Sequence, residues 1–381
     1  MQPPQRESYD AAVIGGGLIG LTCAWRAAQR GLSIVVLERD RRGGAASGVA
    51  AGMLAPVTEA DFGDEPLLRA GLASRELWPG FAAELEERGG RPIHFRESGA
   101  LVVAADRDDA GELRRLHDYQ RELGLAAEWL SPSECRRLEP GLSPRIAGGV
   151  LAPQDAQVDP AAVVEALKLA FEAAGGELIE GAEVAALEND GSRVTGVRLA
   201  GGGELAAGQV VIAAGPWSPA LDPRGSGPPV RPVKGQILEL RVRAGSAEPV
   251  GRIVRSPRCY LLGRGDGRLV LGATVEEQGF DTALTAGGVH GLLEAAWELV
   301  PEVGELELVR ARAGLRPGTP DNLPVVGRGS IEGLVWASGH YRNGVLLAPI
   351  TGREVAALLA GEAVSGEVAP FSPERFAKVT A

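Results

Sequence analysis

The chain has 381 residues, 45% of them hydrophobic and 23% charged, a balance typical of a globular protein with two or three domains. Fifty acidic against 39 basic residues give a net charge of −11, which repels phosphate backbones and anionic lipid, so we expect no nucleic acid and no membrane as partner. Three scattered cysteines and four histidines without close pairing indicate neither a disulfide framework nor a metal site. We therefore expect a cytoplasmic protein that binds small molecules.

The N-terminus predicts a strand–helix–strand unit, with strands at Tyr9–Ile14 and Ser33–Leu37 and a helix at Leu18–Arg30. The turn before the helix, Gly15-Gly16-Gly17-Leu18-Ile19-Gly20, fits G-x-G-x-x-G, whose glycines allow a tight turn, close approach to a pyrophosphate and close packing of helix on strand. Glu38 follows the second strand, where a carboxylate accepts a hydrogen bond from a ribose 2′-hydroxyl and disfavours a 2′-phosphate. The pattern predicts a site for FAD or NAD; a plain glycine-rich turn is the alternative.

The rest of the chain alternates between predicted helices and strands. Glu65–Arg88 predicts an amphipathic helix that is interrupted near Trp78-Pro79, because proline lacks the N–H that a helix interior uses. The remaining predicted elements are a strand at Gly99–Ala105, helices at Arg107–Leu123 and Asp159–Ala174, strands at Val184–Leu187, Val194–Leu199, Gln209–Gly215, Gln236–Arg243, Cys259–Leu262 and Leu269–Thr274, a helix at Gly287–Leu299, a strand at Leu334–Ser338 and a helix at Thr351–Leu359.

Dinucleotide-type elements recur at the start, middle and end of the chain, and the Pro- and Gly-rich segment Ser218–Pro232 is a candidate crossing between domains. We predict an α/β fold, α+β overall, in which residues 1–80, 152–220 and 316–381 form a discontinuous Rossmann-like cofactor domain. Residues 81–151 and 221–315 form an inserted substrate domain built on an antiparallel sheet. Ligands of such folds bind beyond the carboxyl ends of the strands, in the crevice between the parts.

Several motifs resemble those of the FAD-dependent amine and D-amino-acid oxidase superfamily. They are the N-terminal glycine motif, Ala51-Gly52-Met53, Ala213-Ala214-Gly215-Pro216-Trp217-Ser218 and Gly339-His340-Tyr341-Arg342-Asn343-Gly344-Val345-Leu346-Leu347-Ala348-Pro349. Together with Ala313-Gly314-Leu315-Arg316-Pro317-Gly318-Thr319-Pro320-Asp321, the last stretch is most similar to the glycine oxidases of the thiamine pathway. The resemblance extends over nearly the whole chain and implies non-covalently bound FAD and a homo-oligomer, in the family a homotetramer. It also implies oxidation of glycine, or of a small amine or D-amino acid, by hydride transfer to flavin, with oxygen as acceptor and imine or glyoxylate, ammonia and hydrogen peroxide as products.

Individual site residues follow from the glycine motif and the resemblance. The expected FAD contacts are Gly15, Gly17, Leu18, Ile19, Gly20, Glu38, Arg39, Ala46, Ser47, Ala51, Gly52, Met53, Val184, Gly215, His340, Tyr341, Arg342, Asn343, Gly344, Val345 and Leu346. The expected catalytic residues are Arg316 and Tyr260, which fix the substrate carboxylate and so aim its Cα–H at the flavin. Val275 and Arg342 complete the expected substrate site.

Alternatives exist for single residues. Arg316 lies among small neighbours where its planar guanidinium can bind a carboxylate through two hydrogen bonds, but an exposed arginine in a turn is the other interpretation. Arg342, if buried, needs a partner, which a flavin edge, a carboxylate ligand or a neighbouring acid would supply. We interpret His340 as a hydrogen-bonded loop residue rather than an acid–base group. We interpret Cys259 as a small buried hydrophobic residue rather than a nucleophile.

Two positions depart from the related glycine oxidases. Val275 stands where they have methionine, and Arg258 stands where a histidine occurs. Both differences put the substrate range in doubt, so a sarcosine or D-amino-acid oxidase is the alternative function. A dehydrogenase that reduces a quinone would need a membrane-facing patch that the sequence does not reveal. A non-catalytic flavin-binding module is hard to reconcile with Arg316 and Tyr260.

Overall fold

The computed structural model describes residues 5–40, 46–225, 227–243 and 245–377. Its strands are β1 (Ser8–Ile14), β2 (Ile34–Glu38), β3 (Met53–Leu54), β4 (Ala100–Ala104), β5 (Glu128–Leu130), β6 (Gly148–Ala152), β7 (Ala156–Gln157), β8 (Glu177–Glu180), β9 (Val184–Asn189), β10 (Val194–Leu199), β11 (Glu204–Ile212), β12 (Arg231–Arg241), β13 (Ile253–Arg255), β14 (Tyr260–Gly263), β15 (Arg268–Gly272), β16 (Glu307–Gly318), β17 (Val325–Arg328) and β18 (Leu334–Ser338). Its α-helices are α1 (Leu18–Gln29), α2 (Glu65–Gly89), α3 (Arg107–Glu122), α4 (Pro132–Leu138), α5 (Pro160–Ala173), α6 (Ala286–Leu299) and α7 (Ala348–Leu359). None of these helices is both long and apolar enough to cross a membrane.

The first sheet has the strand order β17-β18-β11-β1-β2-β8, with the β9–β10 hairpin attached to β11. Its central strands run parallel, and β1 and β2 are almost entirely buried because both faces of the sheet are covered. Alternate residues divide between the two faces: Val13 and Val36 pack with α1, α5 and α7, whereas Ile14 and Val35 pack with the β9–β10 hairpin. Because β1, β2 and β11 run parallel, their carboxyl ends lie together at one edge of the sheet.

The second sheet has the order β16-β12-β15-β14-β13-β4-β6-β5 and is antiparallel except for the β13–β4 pair. One face packs against α4 and α6 in an aliphatic cluster that includes Leu238 and Leu292. The opposite face carries a smaller cluster in which Ile237 and Val270 meet Ala51. The predicted fold class is therefore confirmed. The predicted domain boundaries stay a prediction, although strands of the first sheet come from residues 8–38, 177–212 and 325–338.

Among the differences between the fold and the prediction, two concern α2 and β16. Helix α2 continues through Pro79, so the predicted interruption near Trp78-Pro79 was wrong. The buried Trp78 indole donates to the carbonyl of Leu346 at 3.0 Å, and the Ser74 hydroxyl donates to the same carbonyl at 2.7 Å. These contacts with the segment before α7 hold the helix where proline removes one hydrogen bond. Strand β16 was not predicted at all, and it is the strand that carries Arg316.

Candidate active site

A cavity of about 680 Å³ connects the carboxyl ends of the first-sheet strands with the face of the second sheet. This volume lies in the range of small-molecule sites, roughly 300–1,000 Å³. All the predicted cofactor and substrate residues line it except Gly20, Asn343 and Leu346. Gly20 is instead a packing position, because a methyl group there would overlap the carbonyl of Gly15.

The first-sheet end of the cavity surrounds the N-terminus of α1. Gly15 adopts a φ of 113°, and a methyl group there would overlap the carbonyl of Ala213. Gly17 is the N-cap of α1 and has no side chain to cap the helix, while the backbone N–H of Leu18 donates to Ser47 Oγ at 3.0 Å. No acidic residue lies in the first turn of α1, so this helix end is open to an anion.

Glu38 lies beside this turn at the end of β2. Its carboxylate accepts hydrogen bonds from the backbone N–H groups of Gly16, at 2.6 Å, and Asp40, at 2.8 Å. A carboxylate fixed in this position, next to a helix N-terminus whose first turn carries no acidic residue, matches the ribose and pyrophosphate of a dinucleotide. The glycine cradle, the helix end and the acid therefore fit FAD.

Arg39 and Trp217 form a contact on this part of the lining that sequence reasoning did not identify. The Arg39 guanidinium lies 4.4 Å from the centre of the Trp217 ring. The centres of the Trp217 and Phe280 rings are 5.5 Å apart. Trp217 belongs to a 3₁₀ turn at Gly215–Leu221, immediately after β11. The tryptophan was present in a recognised motif, but its partners come from distant segments.

The segment before α7 contributes His340 to the cavity wall. The imidazole is 2% exposed, and its Nε2 lies 3.0 Å from Thr351 Oγ1. Burial lowers the pKa of His340 from 6.5 to about 3, so the ring is neutral at physiological pH. The backbone N–H of Asn343 donates to the His340 carbonyl at 2.8 Å and closes the turn. His340 is thus a hydrogen-bonded structural residue of the wall.

Arg316 lies on β16 with its side chain on the cavity face. Its Nη1 donates to the carbonyls of Thr274, at 3.0 Å, and Lys234, at 3.3 Å. Gly235 on β12 makes room for the guanidinium, because a methyl group there would overlap it. Among the described residues no side chain pairs with Nη2 or Nε, so one edge of the planar group is free to bind a carboxylate.

Tyr260 lies on β14 and its ring fits against Gly272, where a methyl group would overlap it. Burial raises the pKa of the Tyr260 hydroxyl, against the opposing effect of the Arg316 charge. The hydroxyl therefore stays protonated and can donate a hydrogen bond. Cys259, one residue before, is buried and its pKa is raised by burial to about 11, which suits a small buried hydrophobe.

A buried polar network supports Arg316 from the other face of the second sheet. Lys234 is fully buried, and its Nζ lies 3.4 Å from Glu276 Oε2 and 3.8 Å from Asp281 Oδ2. Glu276 also accepts hydrogen bonds from Gln236 Nε2 at 2.7 Å and from Thr274 Oγ1 at 2.5 Å. Burial alone would raise the pKa of Glu276, but these donors and the Lys234 ammonium outweigh it, so the pKa lies below its usual range. The network fixes the segment whose carbonyl holds Arg316.

A second charged group lies near Tyr260. Glu59 Oε1 is 3.4 Å from Arg255 Nη1 and 3.5 Å from Arg342 Nη2, so a neighbouring acid is the partner of Arg342. Arg258 points to α6, where it pairs with Glu294 at 2.9 Å and Glu298 at 2.5 Å. Sequence reasoning missed Glu59 and Arg255, because Glu59 lies in a turn without a recognisable motif and Arg255 reaches the cavity only through the pairing of β13.

Two further observations bound the chemistry of the site. Val275 lines the cavity with 58% of its surface exposed, which places it at the mouth rather than in the interior. Across residues 5–377, apart from the short gaps in the description, no three His, Cys, Asp or Glu side chains converge as a metal site would require.

Comparison with known proteins agrees with this geometry. The sequence model of the family described as FAD dependent oxidoreductase matches residues 10–358. Glycine oxidase of Geobacillus kaustophilus is 37% identical over 370 residues, which are 96% of this chain and 97% of that protein. The crystal structure of glycine oxidase from the same species has a TM-score of 0.92 at 36% identity and covers 97% of this chain and 99% of that one. The crystal structure of iminodiacetate oxidase from Chelativorans sp. BNC1 has a TM-score of 0.85 at 27% identity and covers 95% and 98%. The chain belongs to the FAD dependent oxidoreductase family.

Proposed function

We propose that this enzyme oxidises a small amino acid, with glycine as the preferred substrate, to its imine. The observation that carries the proposal is the free edge of the Arg316 guanidinium, exposed in the same cavity that reaches the dinucleotide turn at Gly15–Gly20. An arginine held by two carbonyls and open on its other edge is suited to bind a carboxylate through two hydrogen bonds. The similarity to glycine oxidase of G. kaustophilus supports glycine over other amines.

FAD would be held by the α1 N-terminus, Glu38 and the wall around His340, without a covalent bond to the chain. When bound, it supplies the two-electron acceptor that takes the hydride leaving the substrate Cα. The glycines at the turn are needed because any larger side chain would occupy the space of the pyrophosphate or distort the turn. We further propose that oxygen is the terminal acceptor and that hydrogen peroxide, ammonia and glyoxylate are the products.

Substrate positioning falls to Arg316 and Tyr260. Arg316 binds the carboxylate through Nη2 and Nε, and the neutral Tyr260 hydroxyl donates to the same group. With its carboxylate fixed at two points, the substrate has one orientation of its Cα–H bond, which lowers the entropic part of the barrier. Glu59 is engaged by two guanidinium groups, those of Arg255 and Arg342. The amine must reach the site neutral, so activity rises with pH.

The alternative function is that of a sarcosine or D-amino-acid oxidase that uses the same residues. The exposed position of Val275 favours this alternative, because an open mouth tolerates a methyl group on nitrogen or carbon. The sequence resemblance also supports a cytoplasmic homotetramer whose imine product is captured in thiazole formation on the thiamine pathway.

Peroxide release tests the proposal. Purified yellow protein is assayed with glycine, sarcosine, D-alanine and D-proline, and kcat/KM is compared across the four substrates. The expected result is turnover of glycine with peroxide formed in step with oxygen consumed. A kcat/KM higher for sarcosine or D-alanine than for glycine would establish the alternative, a sarcosine or D-amino-acid oxidase. A yellow protein that oxidises none of the four would refute both.

A further inference from the structure

The second-sheet end of the cavity carries more positive charge than a single substrate carboxylate can balance. Four arginines line this end, namely Arg255, Arg258, Arg316 and Arg342, and the only acid that lines it among the described residues is Glu59. Arg258 is neutralised outside the cavity by its two glutamates on α6. Three guanidinium groups thus face one carboxylate, a local charge of +2.

Arg255 is the arginine best placed to bind a second acidic group. It lies directly opposite Tyr260 in the β13–β14 pair, so both side chains project from the same face of the sheet with their Cβ atoms about 5 Å apart. Its Nη1 is occupied by the Thr58 carbonyl, at 2.9 Å, and by Glu59, while no described residue pairs with its Nη2 or Nε. Its side chain is 20% exposed, and Arg255 is part of the cavity lining.

We propose that the site takes amino acids with a second carboxylate, Arg316 and Tyr260 binding the α-carboxylate and Arg255 binding the other. The proposal rests on the proposed function and names the substrate class of the same site. A monocarboxylate such as glycine leaves one guanidinium uncompensated in a partly desolvated cavity, whereas a dicarboxylate neutralises both. Because Arg255 and Tyr260 are cross-strand neighbours, the two carboxylates of the substrate are separated by only a few bonds.

Two chemical forms meet this requirement, with the second carboxylate on the nitrogen substituent or on the side chain. In both, one hydride leaves Cα for the flavin, the nitrogen loses a proton, and water cleaves the imine. Iminodiacetate then gives glyoxylate and glycine, and D-aspartate gives oxaloacetate and ammonia. The chemistry is that of the proposed oxidation, and only the group beyond the reacting centre differs.

The test compares each acid with a partner of similar size that lacks the second charge. kcat/KM is measured for iminodiacetate against N-ethylglycine and for D-aspartate against D-asparagine, in the parent, Arg255→Gln, Arg255→Lys and the control Arg258→Gln. We expect at least one acid to exceed its uncharged partner more than tenfold in the parent and in Arg258→Gln. Arg255→Gln should remove most of this preference, and Arg255→Lys, which keeps the charge, should retain part of it. Which pair responds identifies the position of the second carboxylate.

A binding measurement without turnover accompanies the kinetics. Malonate and acetate are titrated into the FAD-loaded protein, and the dissociation constants are read from the flavin absorbance. Malonate should bind at least tenfold more tightly than acetate in the parent and lose this advantage in Arg255→Gln. Equal kcat/KM for acid and uncharged partner in the parent, or the same preference in Arg255→Gln, would overturn the inference. If glycine is still oxidised in that case, the proposed function stands; if no amino acid is oxidised, the proposed function has failed as well.

Discussion

At the scale of single residues, the candidate site depends on glycines that make room for functional side chains. Gly235 faces the Arg316 guanidinium and Gly272 faces the Tyr260 ring, and a methyl group at either position would overlap its neighbour. Neither glycine has a positive φ, so the backbone itself would accept another residue. Their role is therefore steric, and it acts only on the side chain that each accommodates.

Replacing Gly235 isolates this steric role. Gly235→Ala should displace the guanidinium by about 1 Å or more, and a misplacement of this size in a positioning group costs on the order of 100-fold in rate. We expect KM for the amino acid to rise and kcat/KM to fall at least tenfold, with FAD content and melting temperature close to those of the parent. Steady-state kinetics together with flavin absorbance measure both. An unchanged KM would mean that Arg316 does not bind the substrate.

His340 gives the fold a pH dependence of known sign. Its pKa falls from 6.5 in the unfolded chain to about 3 when buried, so between these values the unfolded state binds the extra proton. The stability that His340 contributes is therefore complete above pH 6.5 and is lost as the pH falls towards 3. Between pH 7 and pH 4 the loss amounts to about 3 kcal/mol.

Chemical denaturation of the parent and His340→Gln at both pH values measures this effect. Glutamine keeps a hydrogen-bonding group for Thr351 but does not titrate, so the variant should lose about 3 kcal/mol less stability on acidification than the parent. Equal losses in the two proteins would show that His340 is not buried in its neutral form.

At the scale of elements, strands determined by local sequence were predicted correctly, whereas a strand determined by pairing with a distant segment was not. Strands β10 and β18 match their predicted limits, because β18 is a short apolar run and β10 combines branched apolar residues with exposed polar ones, patterns that the local sequence shows. Strand β16 could not be predicted, since its sequence contains two glycines and a proline and its pairing with β12 spans the register Arg231–Gly318 to Arg241–Glu307. Arg316 was recognised by its motif, whereas Lys234 and Arg255 join the site only through strand pairing between distant segments.

The buried Lys234–Glu276 ion pair holds the segment that positions Arg316, so breaking the pair should lower the free energy of unfolding. Glu276→Gln leaves the buried ammonium without its nearest carboxylate, so we expect a loss of about 3 kcal/mol in the free energy of unfolding. Glu277→Gln is the control, because Glu277 and its partner Arg231 are exposed and such pairs contribute under about 1 kcal/mol.

Combining Lys234→Met with Glu276→Gln should recover most of the lost stability, because no unpaired charge then remains. Urea denaturation of the three variants and the parent gives the comparison. If Glu276→Gln is no more destabilising than Glu277→Gln, the buried pair does not hold this part of the sheet.

At the scale of the whole molecule, the cavity takes its lining from both sheets, so a ligand that fills it joins them. Removing FAD should therefore lower the melting temperature, and adding it back should restore stability by about 2.7 kcal/mol at a free concentration 100 times the dissociation constant. Because the proposed attachment is non-covalent, heating should release intact FAD into the supernatant. A flavin that stays with the denatured chain, or a melting temperature indifferent to FAD, would contradict this expectation.

If an amino acid held by Arg316 delivers two electrons to the bound flavin, the flavin is reduced even when oxygen is absent. Glycine and iminodiacetate are mixed anaerobically with the FAD-loaded protein, and flavin bleaching is followed in the parent, Arg316→Ala and the control Arg310→Ala, whose side chain lies on the same strand but is largely exposed. We expect full bleaching by at least one substrate in the parent and in Arg310→Ala. In Arg316→Ala bleaching at low substrate should be more than tenfold slower, since losing one partner of a charged pair costs about 2 kcal/mol or more. A flavin that stays oxidised in the parent, or bleaches as fast in Arg316→Ala, would contradict this expectation.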